Sequence, residues 1–249
     1  MNNIKFGLKL WSINYDLIKE SEELISGGFF DYIELMPIPG TQILPFKKNN
    51  IPYIIHSTSD MYGFNIADKD KYDFNLDLIK QNIEWADELN AEYIIVHPGF
   101  GEMETVQKFL DKMEDKRILI ENMPKAEING EKIVGFTPEQ IKELQGKKFG
   151  FCLDFGHAIK TALNSGINYK QYVKEFLSLN PKVFHISDGT LISGKDEHLN
   201  IGEGVYDFSF FAECIKKSKT RYLTLETPKI NLNSLKNDKE NILKLKAIL

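Results

Sequence analysis

A chain of 249 residues, 42% hydrophobic and 27% charged with a formal net charge of −5, has the composition of a globular protein and not of a disordered, fibrous or membrane-spanning one. The acidic balance excludes a protein that coats nucleic acid through overall positive charge, although a local basic groove is compatible with it. Only two of the 31 basic residues are arginine, Arg117 and Arg221, so any phosphate must be held by lysine, backbone N–H groups or metal.

The N-terminal segment MNNIKFGLKLW lacks an apolar core of signal-peptide length, and no run approaches a membrane span. A cytoplasmic protein without membrane attachment is expected. The first strand-like run covers 4–11 and the second 31–37, with Glu34 in YIELMP at its end. A third, 52–57, ends on His56. The segment 73–89 then carries Leu76, Ile79, Ile83 and Ala86 at helical spacing. Strands follow at 92–98, which contains His97, and at 117–123, which contains Glu121. Thr137-Pro138-Glu139-Gln140 has the form of a helix start, with Thr137 as cap, Pro138 at the first helical position and Gln140 closing a capping box. The run 149–155 holds Cys152 and Asp154, with His157 opening the loop behind it. The run 182–187 holds His185, and its loop carries Asp196 and His198. Cys214 lies in a helical segment, and the last strand, 221–227, holds Glu226. Both cysteines read as buried, reduced thiols.

The eight runs are rich in Ile, Val, Leu, Phe and Tyr without strict polar alternation, as strands covered on both faces are. Eight strand–helix alternations in a chain of this length predict a single-domain (β/α)8 TIM barrel over residues 1–249. A doubly wound sheet is the alternative, but no glycine-rich phosphate fingerprint follows the first strand.

A barrel gathers the ends of its strands, and the loops behind them, around one pocket. All five histidines and the carboxylates of Glu121, Asp154, Asp196 and Glu226 have that address. Imidazole and carboxylate are the ligand set of zinc and related divalent ions, so the pattern predicts a metal site.

The segments HPG at 97–99, EN at 121–122, CLDFGHA at 152–158, HISD at 185–188, DEHLNIGEG at 196–204 and LETP at 225–228 resemble the signatures of endonuclease IV, the apurinic/apyrimidinic endonuclease family 2. That family lies within the xylose isomerase-like barrels. The resemblance implies a metal-dependent phosphodiester hydrolase acting at abasic sites in DNA, with up to three Zn²⁺ per chain. His56, His97 and Glu121 would hold the first ion. Glu121 would bridge to a second, held also by Asp154, His185 and Glu226, and His157, Asp196 and His198 would hold the third. Glu121 and Glu226 are the candidate catalytic residues, Glu226 orienting the attacking water. Mn²⁺ or Fe²⁺ could occupy the same groups.

The chain departs from that pattern in its loops. MPIPGTQILPF after the second strand has no arginine of the kind the family inserts into the duplex, and STSDMYGF after His56 has Ser59 where the family has a tyrosine. Tyr62 or Phe64 could take that place. The family's DRH is DEH here, with Glu197 reversing a charge. Lys125, Lys195 and Lys229 follow strand ends, where a lysine could meet a phosphate.

The alternative is a sugar or sugar-phosphate isomerase or epimerase of the same superfamily, acting on a small phosphorylated sugar. It would need one divalent ion on Glu121, Asp154, His185 and Glu226, with Glu121 and Glu226 moving a proton and His157 polarising the substrate. Glu34 fits that reading. His56, His97, Asp196 and His198 are surplus to it.

Overall fold

Each of the eight apolar runs is a strand in the structure, a computed structural model that describes residues 4–128 and 130–249. The first three residues of the N-terminal segment lie outside the described residues. The barrel strands are β1 (Lys5–Trp11), β2 (Tyr32–Met36), β3 (Tyr53–His56), β4 (Ile94–Val96), β5 (Ile118–Glu121), β8 (Gly150–Asp154), β9 (Val183–Ile186) and β10 (Tyr222–Leu225). They pair in parallel in that order, and β1 closes on β10. The chain is therefore the predicted TIM barrel.

A short antiparallel hairpin of β6 (Glu127–Ile128) and β7 (Glu131–Lys132) sits in the connection after β5. Strands of two residues leave no periodicity, which is why the sequence did not announce it. Most strands are also shorter than their apolar runs, so His97 and Glu226 lie just beyond β4 and β10. Glu226 N still donates to Ile186 O of β9 at 2.9 Å, and from these rim positions both side chains reach into the pocket.

The helices are α1 (Ile18–Ser26), α2 (Leu44–Lys47), α3 (Tyr72–Glu88), α4 (Met103–Leu110), α5 (Pro138–Gln145), α6 (Phe155–Ser165), α7 (Tyr169–Leu177), α8 (Phe208–Lys217) and α9 (Lys236–Ile248). None is long and apolar enough among the described residues to cross a membrane. α3 takes its expected place, but its buried face centres on Asn75, Leu78, Ile79, Asn82, Trp85 and Ala86. Leu76 and Ile83 fall at the edge of that face. Asn75 turns it, because its side chain exchanges hydrogen bonds of 3.0 and 2.6 Å with the backbone of Asn65. At α5, Thr137 caps as expected, accepting from Gln140 N. The Gln140 carboxamide instead accepts from the N–H groups of Gly135 and Phe136, so the capping box closes one step earlier in the chain.

Strand alternation divides the barrel interior into two levels. The lower level is apolar: Tyr32, Ile54, Ile95, Leu119, Cys152 and Val183 form a cluster separate from the outer core. Gly7 makes room for it, since a Cβ there would stand 2.4 Å from the Tyr32 ring. Two residues further along the strands the same inward rows carry Lys9, Glu34, His56, Glu121, Asp154 and His185, all buried. An apolar plug thus floors a polar chamber at the C-terminal end of the barrel.

Candidate metal centre

The nine side chains singled out from the sequence converge in that chamber. One ligand atom each from His56, His97 and Glu121 lie within 4.8 Å of one another, and so do those of Glu121, Asp154, His185 and Glu226. A third group of the same tightness joins His157, Asp196 and His198. Glu121 belongs to both of the first two, with Oε2 facing His56 and His97 at 3.2 and 3.1 Å and Oε1 facing His185 Nδ1 at 3.3 Å.

His56, His157, His198 and His185 each have one ring nitrogen tied to an acceptor, which leaves the other for the chamber. His56 Nδ1 is 2.8 Å from the Ser57 carbonyl, His157 Nδ1 is 2.8 Å from that of Asn122, and His198 Nδ1 is 2.9 Å from that of Glu226. These rings turn Nε2 inward. His185 is reversed: its Nε2 is held by Glu34 Oε2 at 3.0 Å, and Nδ1 faces Glu121 and Glu226. Such outer partners fix the tautomer and the aim of a metal-ligating ring.

Local structure explains how the chain presents these groups. β8 runs straight into α6, so Asp154 ends the strand and caps the helix, accepting from His157 N at 2.6 Å. Asn122 pins it, its side chain accepting from Asp154 N and donating to Asp154 O. The loop after β9 is wrapped around the Asp188 carboxylate, which accepts from the N–H groups of Gly189, Gly202, Gly204 and Tyr206. Gly204 is required there, because a Cβ would meet Asp188 Oδ1 at 2.3 Å. That wrapping gives a physical reason for the NIGEG run. It also holds His198 at φ 45°, a conformation costly for a residue with a Cβ.

The charge balance draws cations. Burial works against ionisation of Glu121, yet His185 and His97 hold its carboxyl well below the usual range. Glu226 is likewise held down to about 2, against burial, by His185 and Lys9. Burial pushes Asp154 up to about 6, and the neighbouring Glu226 and Glu121 add to the shift. His198 is raised to about 9 against burial by its hydrogen bond to Asp196, and His157 and His185 are raised as well. The metal-free chamber therefore gathers protons on His157, His185 and His198, whereas burial and Lys9 push His56 down.

Three buried atoms test whether an ion fits. His97 Nε2, Glu121 Oε1 and His185 Nδ1 have no hydrogen-bond partner among the described residues. They approach each other or neighbouring groups closely, but not with hydrogen-bond geometry. A buried polar atom left this way costs about 1–3 kcal/mol, and all three point into the groups that could take a cation. The residues fit divalent metal.

Other candidates are placed differently. Glu34 does not end its strand; it is mid-β2 and fully buried, in the same inward row as His56 and His185, and accepts from Lys9 Nζ at 2.6 Å. Glu197 does not turn a reversed charge into the pocket, because Lys160 Nζ meets its Oε2 at 2.6 Å and Thr190 N donates to it at 2.8 Å. Phe64 is buried in the core, whereas Tyr62 is partly exposed and Met61 stands out at 86% exposure. Lys229 is buried in an ion pair with Asp238 and is out of reach of a phosphate. Lys125 donates to Ser165, and Lys195 is exposed. Cys152 lies in the apolar floor beside Glu121 and His185, where burial pushes its thiol up. Sequence reasoning missed Lys9, Asn122 and Lys160. A lysine between Leu8 and Leu10 in a buried strand was the available signal for the first.

The profile of the Xylose isomerase-like TIM barrel family matches residues 46–248. A probable endonuclease 4 of Mycoplasma mobile is 30% identical over 207 residues, which cover 74% of this chain and 72% of that protein. Among solved structures, a D-tagatose 3-epimerase-like protein superposes with a TM-score of 0.73 at 23% identity, covering 98% of each chain. Endonuclease IV from Thermus thermophilus superposes with a TM-score of 0.71 at 19% identity, again over 98% of each chain.

Proposed function

We propose that this chain, which belongs to the xylose isomerase-like TIM barrel family, is a metal-dependent phosphodiester hydrolase with a three-zinc centre acting at abasic sites in DNA. The observation that carries the reading is the third group. His157, Asp196 and His198 make a separate, complete set of three ligands, which a one-metal proton transfer does not require. When bound, clustered divalent ions supply charge stabilisation for a phosphoryl displacement and a water acidic enough to attack near neutral pH.

The chain's own residues do the positioning. Glu121 joins the first two groups through its two oxygens, so it fixes their spacing. Glu226 stays ionised because His185 and Lys9 hold its carboxyl down to about 2, which suits it to accept a hydrogen bond from the attacking water. His157 and His198 hold their inward nitrogens beside Asp196 Oδ2 at 3.2 and 2.5 Å, so that the three would hold an ion able to meet a phosphate oxygen. The relatives named endonuclease 4 support the same substrate class.

A second reading, an isomerase or epimerase of a small sugar, is favoured by the arginines. Arg117 and Arg221 immediately precede β5 and β10, at the end of the barrel opposite the chamber, so neither can grip a DNA backbone there. Glu121 and Glu226 also flank His185 Nδ1 at 3.3 and 3.4 Å, a spacing suited to shuttling a proton.

Elemental analysis of protein purified without added metal, followed by incision of a duplex bearing one abasic analogue with and without chelator, separates the two. Close to three zinc ions and chelator-sensitive incision are expected. A single manganese or magnesium with no incision would sink the hydrolase reading.

A further inference from the structure

Lys9 brings into the chamber a positive charge that does more than keep Glu226 ionised. β1 alternates, with Leu8 and Leu10 turned into the outer core and Gly7 and Lys9 turned inward. Lys9 stands in register with Glu34 of β2. Its Nζ is 2.6 Å from Glu34 Oε1 and 2.7 Å from Glu226 Oε1, and its side chain is 6% exposed. Those are the lengths of charge-assisted hydrogen bonds.

The same two carboxylates belong, with His56 and His185, to a fourth group whose ligand atoms lie within 4.8 Å of one another. By ligand type and spacing this group suits a divalent ion as well as the other three do. It differs in one respect: an ammonium already lies against both of its carboxylates. Its His185 contribution is also spent, because Nε2 is held by Glu34 while Nδ1 faces Glu121.

We infer that Lys9 is a permanent cation of the metal centre, occupying the cation position of the Glu34–His56–His185–Glu226 group and excluding an ion from it. The inference rests on the metal-centre reading above. Unlike an ion, the ammonium is tethered. It cannot be chelated away, so Glu34 and Glu226 keep a counter-charge and their orientation when the chamber is empty of metal. Lys9 is thereby a positioning residue for Glu226, and it caps the number of ions that the chamber takes.

The test is where ions sit and how many bind, with Mn²⁺ as the probe. Anomalous diffraction from wild-type crystals soaked in Mn²⁺ should show a peak among Glu121, Asp154, His185 and Glu226 and none between Glu34 and Glu226. Lys9→Ala opens the position and should bind one more Mn²⁺ per chain than wild type, with a new peak between those carboxylates. The double variant Lys9→Ala/Glu34→Gln should lose that extra ion. A wild-type peak between Glu34 and Glu226 with Lys9 swung away overturns the inference, as does a Lys9→Ala protein with the wild-type ion count. No Mn²⁺ anywhere in wild type would instead overturn the metal-centre reading, and the inference with it. The wild-type crystals decide the matter even where Lys9→Ala fails to fold.

Discussion

Glu34 Oε2 accepts the Nε2 proton of His185 at 3.0 Å, and that one contact decides which face of the imidazole the chamber sees. Thr224 donates to the same oxygen, and Lys9 holds the other, so the carboxylate cannot rotate away. Glu34→Gln keeps the shape but removes the charge and offers an amide that can turn its donor face to the ring. Loss of such an outer partner lowers metal affinity about 10- to 100-fold. Chelator-competition titration should show that loss for one ion, that of the Glu121, Asp154, His185 and Glu226 group. Unchanged affinity would mean that the tautomer is fixed by something other than Glu34.

The third group separates the two functional readings. Asp196→Asn removes the negative charge from the group whose Oδ2 faces His157 Nε2 and His198 Nε2 at 3.2 and 2.5 Å. One ion per chain should be lost, and phosphodiester hydrolysis should fall about 100-fold or more, the scale of removing one charge stabiliser from a transition state. A sugar isomerisation supported by the remaining groups would persist. Metal content and both activities measured on the same preparation give the answer.

Strand positions were legible because each barrel strand is mostly apolar without strict alternation, and the ligands because polar residues at the ends of such runs have few other uses. Depth was not legible. Glu34 and Glu226 read alike as strand-end carboxylates, yet Glu34 lies mid-strand, bound by Lys9, Thr224 and His185, whereas Glu226 lies one residue beyond β10. A shift of one or two residues along a strand, within the uncertainty of its boundaries, moves a side chain between levels. Partners distant in sequence were equally hidden. Glu197 reads as a charge reversal until Lys160, 37 residues away, is placed against it.

Metal binding should release protons. Without metal, the His198 imidazole is raised to about 9, against burial, by Asp196, so at pH 7 it carries a proton that a ligating ring must lose. Affinity at the third group should weaken as pH falls below about 9, by about tenfold per unit for each proton released. The stability effect has the opposite sign. In chelated protein the His198–Asp196 pair stabilises the fold fully below the unfolded histidine value of about 6.5, and that contribution is lost as pH rises to about 9. Titration calorimetry at pH 7 in two buffers of different ionisation enthalpy reads the protons directly. Heats that do not depend on the buffer would exclude the linkage.

Restoring the DRH pattern should damage this protein. Glu197 accepts from Lys160 Nζ, Thr190 N and Thr190 Oγ1, and Lys160, itself fully buried, also donates to the carbonyls of Thr190 and Ser193. This clasp closes the loop that carries Asp196 and His198. Glu197→Arg places a second cation beside a lysine that has no other carboxylate partner among the described residues. Losing charged hydrogen bonds and leaving the ammonium underpaired should cost about 2–3 kcal/mol, seen as a lower midpoint in urea. The loop ion should be released first on chelation, while those held by Glu121 remain. Glu197→Gln, which keeps an acceptor for Lys160, should lie between the two. If Glu197→Arg were as stable as wild type with the same chelation order, Lys160 would have to find its counter-charge elsewhere, and the loop would be held by Asp188 alone.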